Sequence, residues 1–484
     1  MDVQYQGHYK QYIGGNWVEA SNGGLWELVN PATEEIIQVI PFGNGDDAEA
    51  AIEAAEKAFL SWSHQTPYKR ADVLKKAADL MRSRAGDLAK ITTQESGKPY
   101  AQAKGEWIVA GDLFEWFAEE GKRSYGRVIP PRRGNTRLTV IKQPIGVVGV
   151  ITAWNFPAYN PARAWAAALA AGCTVVARPS EFTPLTAMEM TNILVEAGIP
   201  AGVFNLINGD AESMGQAFLN HPACRKISFT GSTRVGRILM DGASRTHTRL
   251  SLELGGNAPV LVFPDVNVEA VALAAVQAKY RNNGQVCTAP QRFLVHSHVM
   301  EEFVDKVVPA VEKLKVGNGL EKDIDVGPLI NAKQRERVER MVSEGVIDGA
   351  QVLVGGQRPL HLEKGYFYQP TVLLNVKPHD RVYHEEIFGP VMPIVPFNDI
   401  EEGLALANST PYGLSAYVFT NDLNTAIRAY EGLEAGLIGV NEWYPQATEA
   451  PFPGWKQSGL GMEAGEEGLS EYLETKLVAI GGLK

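Results

Sequence analysis

The residue of this sequence best suited to covalent chemistry is Cys287, in the stretch RNNGQVCTAP at 281–290. It is one of three cysteines in 484 residues. A nucleophilic cysteine needs surroundings that lower the pKa of its thiol, a donor for the charge that develops on the substrate, and often a base. A lone cysteine in a chain of this size is usually structural, so the case for Cys287 depends on other stretches.

Two further stretches offer a base and a donor. Glu253, in ELGG, ends a β-like run in front of two glycines, where a carboxylate can act as a general base. Asn155, in WNFP, follows the apolar run GVVGVITA and so lies where α/β sheets bind ligands. Each residue has a more common use: Glu253 as a solvated loop acid, and Asn155 as the cap of the next helix.

The stretch FTGSTRVG at 229–236 predicts a strand, a tight turn and the start of a helix. This arrangement presents backbone N–H groups to a phosphate. The stretch does not match the dinucleotide pattern G-x-G-x-x-G, and alone it is a weak indication.

Regular elements must position these residues, and the chain alternates short β-rich runs with helical ones. We predict helices over 46–62, 162–171 and 184–197, and near 267–281 and 298–314, with Asp46 and Glu49 forming a capping box on the first. Such alternation predicts mostly parallel sheets covered by helices, the α/β class. The stretch 126–143 instead predicts a β-hairpin, which could join subunits together with the β-like tail 470–480.

Composition excludes several classes of protein. The formal charge is −11 without a Lys/Arg cluster, which argues against nucleic acid as a partner. The uncharged run from Gln143 to Ala162 is broken by prolines and the run from Ala164 to Ala177 is too short to cross a membrane. Three cysteines without a C-x-x-C pair indicate neither disulfides nor a metal site. With no leader pattern at the N-terminus, we expect a cytoplasmic protein.

Seven stretches in order, WNFP, ARPSE, FTGSTRVG, ELGG, GQVC, EEIFGPV and KQSGLG, resemble the NAD(P)-dependent aldehyde dehydrogenase superfamily over nearly the whole chain. The similarity is greatest to succinate-semialdehyde and α-ketoglutarate-semialdehyde dehydrogenases. It implies two doubly wound parallel-sheet domains and a small β oligomerisation arm. The cofactor-binding domain would be 1–125 and 144–255, the catalytic domain 256–465, and the arm 126–143 and 466–484, in a homodimer or homotetramer.

The resemblance also implies roles for individual residues. Cys287 would be the nucleophile, Asn155 with the Cys287 backbone N–H the oxyanion hole, and Glu253 the base. In the implied cofactor site, the pyrophosphate turn consists of Gly231, Ser232 and Gly236, and the cleft is lined by Trp154 and Gly209. The nicotinamide and its ribose would be held by Glu386 and Phe388. The adenosine ribose would be held by Arg178 and Glu181. Because the Glu181 carboxylate would repel a 2′-phosphate, NAD is favoured, while Arg178 leaves NADP open.

Two positions depart from the family pattern. Relatives usually carry lysine where this chain has Arg178 and where it has Ala164. The first change keeps a cation. The second removes a cation implied in a proton relay, which bears on the activation of Cys287.

The predicted substrate site contains Arg163, Arg281, Tyr159 and Trp443. The two arginines match the pair that binds the distal carboxylate in the semialdehyde dehydrogenases, although each alone is as well explained as a structural ion-pair partner. The small-molecule substrate would be an aldehyde with an acidic far end, oxidised to a carboxylic acid. The aromatic loop with Tyr444 and Trp455 keeps lactaldehyde or an aromatic aldehyde open, and its rings can also simply pack. A cysteine-dependent esterase and a non-catalytic scaffold are the alternatives from other classes.

Overall fold

The computed structural model describes residues 9–482 of the chain. Its helices are α1 Gly45–Ser63, α2 Pro67–Ser96, α3 Tyr100–Glu120, α4 Tyr159–Ala171, α5 Pro184–Ala197, α6 Ala211–Asn220, α7 Thr233–Ala243, α8 Val268–Tyr280, α9 Met300–Glu312, α10 Ala332–Ile347, α11 Arg381–His384, α12 Ile400–Asn408, α13 Leu423–Gly432 and α14 Gly465–Ser470.

Its strands are β1 Gln11–Ile13, β2 Asn16–Val18, β3 Leu25–Val29, β4 Ile36–Pro41, β5 Arg127–Ile129, β6 Arg137–Pro144, β7 Val147–Ile151, β8 Thr174–Arg178, β9 Phe204–Leu206, β10 Cys224–Thr230, β11 Arg249–Glu253, β12 Ala258–Val262, β13 Pro290–His296, β14 Gln351–Val354, β15 Thr371–Leu374, β16 Val391–Phe397, β17 Tyr412–Gly413, β18 Ser415–Phe419, β19 Leu437–Val440, β20 Phe452–Pro453, β21 Trp455–Lys456, β22 Gly459–Leu460, β23 Met462–Glu463 and β24 Leu473–Ile480.

Two large sheets carry the fold. The first has the order β2-β1-β9-β8-β7-β10-β11-β22, and its centre from β9 to β11 is parallel. The second has the order β14-β15-β16-β13-β12-β18-β19 and is parallel except for β14. The structure thus confirms the predicted α/β class with parallel sheets. The exact domain limits stay a prediction.

The central strands are buried along their whole length. Every residue of β7 and of β8 is buried, as expected for parallel strands that have helices on both faces. Helix α4 lies against them, and its alanine-rich sequence lets it pack closely. Since parallel strands end at the same edge, Asn155, Arg178, Gly231 and Glu253 come to one edge of the first sheet.

The first helix begins one residue earlier than predicted, and this changes its cap. The side chain of Asn44 accepts from the N–H of Asp46, while the Asp47 carboxylate accepts from the N–H of Asn44 at 3.0 Å. The capping box therefore uses Asn44 and Asp47, and the prediction of Asp46 and Glu49 was wrong because the helix starts at Gly45.

The predicted hairpin is present, and the C-terminal tail joins it. β5 and β6 pair antiparallel, and β24 pairs with the whole of β6, from Leu473 opposite Pro144 to Ile480 opposite Arg137. A second C-terminal strand, β22, extends the first sheet and places Gly459 opposite Glu253. Across residues 9–482, none of the helices combines the length and the apolar character needed to cross a membrane.

Candidate active site

Cys287 lies where two cavities meet. The aromatic cavity has a volume of about 380 Å³, and its walls include Phe156, Tyr159, Arg163, Arg281 and Phe452. The glycine cavity has a volume of about 310 Å³, and its walls include Trp154, Asn155, Gly231, Ser232, Glu253, Gly255, Glu386 and Phe388. Cys287 lines both. The other cysteines, Cys173 and Cys224, belong to hydrophobic clusters.

Close backbone packing holds the Cys287 loop. Helix α8 ends at Tyr280, and the chain then turns through Asn282 and Asn283, whose φ angles of 49° and 56° are left-handed values that asparagine tolerates. On the opposite side, a Cβ on Gly256 would lie 2.3 Å from the Cys287 carbonyl oxygen. Glycine in the ELGG stretch is therefore required for the nucleophile loop to approach.

The surroundings of Cys287 raise the pKa of its thiol and do not lower it. Withdrawal from solvent raises the pKa of the thiol to about 12, while the positive charge of Arg163 opposes that rise. This differs from the lowered pKa that sequence reasoning expected of a reactive cysteine. A base must therefore take the thiol proton when the cysteine reacts.

Glu253 has the properties of such a base. It ends β11, is only 4 % exposed, and its Oε2 has no hydrogen-bond partner among the described residues. Burial raises its pKa well above the ordinary value, the negative charge of Glu463 adds to the rise, and Arg163 opposes it. The alternative of a solvated loop acid does not apply to a carboxylate in this position.

Asn155 is buried, and its side chain is held on both sides. Its Nδ2 donates to the Gln285 carbonyl at 3.2 Å, and its Oδ1 accepts from Asn160 Nδ2 at 3.1 Å. An amide nitrogen carries two hydrogens, so one remains for a substrate oxygen. Asn155 does not cap α4, because the first N–H groups there donate to Glu106 instead.

The FTGSTRVG stretch forms the predicted strand, turn and helix. Ser232 caps α7 by accepting from the N–H of Val235, and with Gly231 it lines the glycine cavity at the positive end of the helix. Gly236 plays a packing role instead. A Cβ there would lie 2.7 Å from the Leu254 side chain, and the residue does not line the cavity.

Glu386 and Phe388 form the opposite wall of the glycine cavity. Glu386 Oε1 accepts from the N–H of Gly256 at 2.9 Å, and burial raises the pKa of this carboxyl to about 7. A Cβ on Gly255 would lie 2.6 Å from Glu386 Oε2, so glycine leaves the room that the carboxylate occupies. The ring of Phe388 packs edge-on against Trp154, with centroids 5.3 Å apart.

Sequence reasoning missed two residues that hold this wall, Gln334 and Arg337 of α10. Gln334 Nε2 donates to the Phe388 carbonyl at 2.8 Å, and Arg337 donates to the carbonyls of Ile387 and Glu386 at 2.8 and 2.7 Å. No motif marks them, because they act on backbone carbonyls that any sequence would provide.

Arg178, Glu181 and Gly209 form a cluster outside the lining of the glycine cavity. The Arg178 guanidinium lies 3.0 Å from the Glu181 carboxylate and donates to the Gly209 carbonyl at 2.8 Å. The arginine is buried and the glutamate is partly exposed. Glu181 is therefore the more accessible charge at the end of β8.

The two predicted substrate arginines differ. Arg163 Nε lies 2.8 Å from Glu463 Oε2, with both side chains almost fully buried, and its guanidinium stacks on Phe452 and Tyr159. Arg163 is thus bound to a buried carboxylate, but it still lines the aromatic cavity and its Nη1 has no hydrogen-bond partner among the described residues, so its contact with substrate stays a prediction. Arg281 lies over Phe156 and Tyr444, and no described carboxylate pairs with it.

Trp443 does not contact either cavity. It packs against Phe419, Tyr417 and Phe293 with centroid distances of 4.3, 5.6 and 6.3 Å, in the core of the second sheet. The predicted substrate contact is not supported by this position, because the loop turns the ring inward. Trp455 is exposed on β21. The aromatic cavity is also lined by residues that no motif predicted, namely Gln102, Glu106 and Val109 of α3 and Gln446 and Thr448.

Comparison with known proteins agrees with this geometry. Residues 17–478 match the aldehyde dehydrogenase family. The chain is 45 % identical to a mitochondrial succinate-semialdehyde dehydrogenase of Oryza sativa subsp. japonica, covering 97 % of this chain and 89 % of that one. It is 42 % identical to the NADP⁺-dependent succinate-semialdehyde dehydrogenase of Escherichia coli (strain K12), covering 97 % of each. The crystal structure of a succinate-semialdehyde dehydrogenase from Burkholderia pseudomallei is 43 % identical and superposes with a TM-score of 0.96 over 98 % of both chains. The chain belongs to the aldehyde dehydrogenase family.

Proposed function

We propose that this protein oxidises an aldehyde with an anionic far end to the carboxylic acid, using NAD(P)⁺ as the oxidant. One observation carries the proposal: the partly exposed Cys287 opens to two cavities, with Glu253 and Asn155 in the wall of one and Arg281, which pairs with no described carboxylate, in the wall of the other. Oxidation of an adduct on Cys287 needs this arrangement, since the hydride acceptor must come close to the carbon that is bonded to Sγ, and the aldehyde and the cofactor can then reach Cys287 from two different cavities.

The glycine cavity fits a dinucleotide. The Gly231-Ser232 turn offers the N-terminus of α7 to a pyrophosphate, and Glu386 offers a carboxylate to ribose hydroxyls. Gly255 and Gly256 add no side chain beside Glu386 and the Cys287 loop, where a Cβ would collide with existing atoms. A bound nicotinamide would supply the acceptor for the hydride that leaves the aldehyde carbon.

The residues of the chain perform the remaining steps. Cys287 Sγ bonds to the aldehyde carbon while its proton passes to a base, and the alkoxide receives hydrogen bonds from Asn155 and the Cys287 backbone. After the hydride has left, the adduct is a thioester on Cys287. Glu253 removes a proton from water, the water oxygen bonds to the thioester carbon, and the carbon–sulfur bond breaks to release the acid and the thiolate.

NAD is the cofactor we favour. Glu181 is the accessible charge at the end of β8, where the adenosine ribose of the cofactor would lie, and Arg178 is already bound to it and to the Gly209 carbonyl. A 2′-phosphate would have to displace that ion pair, whereas two ribose hydroxyls can donate to the carboxylate. Because the E. coli relative is named for NADP⁺, kcat/KM for NAD⁺ and for NADP⁺ on the same aldehyde is the deciding measurement.

Arg281 supports a substrate with an anionic far end. Its guanidinium lies against two aromatic faces, which fix the plane of the fork, and its Nε has no hydrogen-bond partner among residues 9–482. A fork held in this way suits a carboxylate. The relatives named above act on succinate semialdehyde, which has such an end.

A substrate panel tests the proposal. Formation of NADH is followed by absorbance with succinate semialdehyde, α-ketoglutarate semialdehyde, lactaldehyde, benzaldehyde and hexanal. We expect the highest kcat/KM with the acidic semialdehydes. A preference for benzaldehyde or lactaldehyde would agree with aldehyde oxidation but would contradict an anionic far end of the substrate. Hydrolysis of a nitrophenyl ester without any aldehyde oxidation would favour the esterase alternative.

We also propose that the arm joins copies of the chain into a homodimer or homotetramer. β24 is an edge strand of the three-stranded sheet, and Leu477 and Ile480 on it, with Val128 on β5, are exposed by 62 %, 47 % and 73 %. An exposed apolar edge strand invites pairing with another chain. Sedimentation equilibrium of the wild type and of Leu477→Lys tests this, and a monomeric wild type would contradict it.

A further inference from the structure

A buried ion pair at the edge of the active site has no role in the chemistry described so far. The side chains of Lys98 and Glu106 are 1 % and 2 % exposed, and the ammonium donates to Glu106 Oε2. Removing two charges from water costs several kcal/mol per ion, which their attraction offsets only when further hydrogen bonds are made. The remaining contacts of the two residues therefore show what the pair does.

Glu106 fixes the start of α4. Its Oε1 accepts from the N–H groups of Ala158 and Tyr159 at 2.7 and 3.0 Å. The helix has no cap from its own N-cap residue, so Glu106, on α3, provides that cap from another element. The segment that follows Asn155 is thereby held to α3.

Lys98 holds Asn155 itself. Its Nζ donates to the Asn155 carbonyl oxygen at 2.8 Å and lies 4.0 Å from the centre of the Phe156 ring. The same carbonyl accepts from Asn282 Nδ2 at 2.9 Å, in the loop that leads to Cys287. The carbonyl is thus held from the α2–α3 connection and from the nucleophile loop together.

These contacts converge on the residue whose direction matters most. Asn155 can stabilise an alkoxide on the Cys287 adduct only if its free N–H points at that oxygen. Its side chain touches Gln285 and Asn160, and its main chain touches Lys98 and Asn282. Of these four partners, Lys98 is the one that brings a charge.

We propose that Lys98 and Glu106 are positioning residues that set the direction of the Asn155 amide toward the carbonyl oxygen of the substrate. The inference rests on the proposed aldehyde oxidation. Lys98 has a second consequence, since it neutralises a carboxylate that lines the aromatic cavity near Arg281. Without Lys98, Glu106 would repel an anionic substrate.

The decisive experiment is a double-mutant cycle between Lys98 and Asn155. In Lys98→Met we expect kcat to fall about 100-fold, the size of effect that a small misplacement of a catalytic group produces. If Lys98 acts through Asn155, Lys98→Met lowers kcat little further in an Asn155→Ala background. Equal losses in both backgrounds would overturn the proposal, because a merely structural lysine gives additive effects. Lys98→Arg should restore part of the loss.

Controls separate folding from positioning. Lys90→Met is the matched variant, since Lys90 lies on α2 and pairs at the surface with Asp87, and it should keep wild-type kcat. Thermal unfolding shows whether Lys98→Met is folded. If it is not, Glu106→Gln takes its place in the cycle, because it keeps the side-chain shape and removes the charge from the pair.

A crystal structure gives a result that does not depend on turnover. In Lys98→Met we expect the Asn155 carbonyl to move away from the Lys98 position and the bond from Nδ2 to Gln285 to lengthen. An unchanged Asn155 would overturn the inference even if kcat of the variant had fallen. Failure of the wild type to oxidise any aldehyde would instead overturn the proposed function. The crystal structure of Lys98→Met would then still show whether Lys98 and Glu106 position Asn155.

Discussion

The two cavities that meet at Cys287 are built in different ways. The glycine cavity is made largely of residues that follow the ends of parallel strands, and at two of them, Gly231 and Gly255, a Cβ would collide with a neighbour. The aromatic cavity is made of side chains from α3, α4 and two loops. Turns at strand ends demand glycine at fixed positions of the sequence, whereas walls made of helix and loop side chains can be filled in many ways.

The cavities also differ in charge. Buried carboxyls with raised pKa values, Glu253 and Glu386, lie in the glycine cavity. In the aromatic cavity the charges of Arg163 and Glu106 are neutralised by partners, which leaves Arg281. Proton transfer is therefore assigned to one side of Cys287 and charge recognition to the other.

Removing the thiol should abolish the function of both cavities at once. In Cys287→Ser we expect kcat for aldehyde oxidation to fall by a factor of about 10⁴ or more, as loss of a nucleophile does in other enzymes. The measurement is NADH formation at saturating substrate. Cys173→Ala is the matched control and should retain activity, since Cys173 is buried in the core. Comparable activity of Cys287→Ser and the wild type would contradict a covalent mechanism.

Removing the base should slow the proton transfers that are assigned to the glycine-cavity side of Cys287. In Glu253→Gln we expect steady-state turnover to fall about 10²–10⁴-fold, the usual contribution of a general base. A base acts when deprotonated, and burial raises the pKa of Glu253, so wild-type activity should increase with pH through a value well above that of an ordinary glutamate. Stopped-flow NADH traces across pH test this. A wild-type profile that is flat above pH 5 would be inconsistent with the role.

Arg281→Met should affect the aromatic cavity alone. A hydrogen bond to a charged group contributes about 1.5–3 kcal/mol, so kcat/KM for succinate semialdehyde should fall roughly 10- to 100-fold. The value for hexanal should stay within a factor of two or so of wild type, because hexanal has no anion to lose contact with. Equal losses for both aldehydes would mean that Arg281 shapes the cavity and does not bind the far end.

Gly255→Ala should produce the smallest change, confined to the glycine cavity. The added methyl group would meet Glu386 Oε2, a flexible side-chain end that can move. Losing one favourable contact of about 1.4 kcal/mol corresponds to a tenfold weaker affinity for NAD⁺. Isothermal titration calorimetry measures that affinity, and KM for the aldehyde should not change. An altered aldehyde KM with unchanged NAD⁺ affinity would contradict the division between the cavities.

The contrast between the cavities explains what the sequence could predict. The Gly231-Ser232 turn was predicted because a tight turn between a strand and a helix needs such residue types, whereas Glu386 was expected only from the family resemblance. The ion pair of Arg163 with Glu463 was not predicted, because Glu463 comes from a distant strand that no local pattern connects to it. Trp443 was misplaced because a loop can turn a ring inward or outward with the same sequence. Helix α5 matched its predicted range of 184–197, since proline and glycine mark both of its ends.

The C-terminal strands have a consequence for the order in which the protein folds. The Cys173 thiol meets the Tyr472 carbonyl across 299 residues, and Lys226 meets Glu471 across 245. The counter-charge of Arg163, Glu463, is likewise far along the chain. Most strands of the first sheet are translated early. The buried cations Lys226 and Arg163 nevertheless lack their carboxylate partners until the last part of the chain has been synthesised. Such high contact order slows folding, and a nascent chain that stops before the C-terminal strands would contain the nucleophile and the base, while Arg163 would lack its counter-charge.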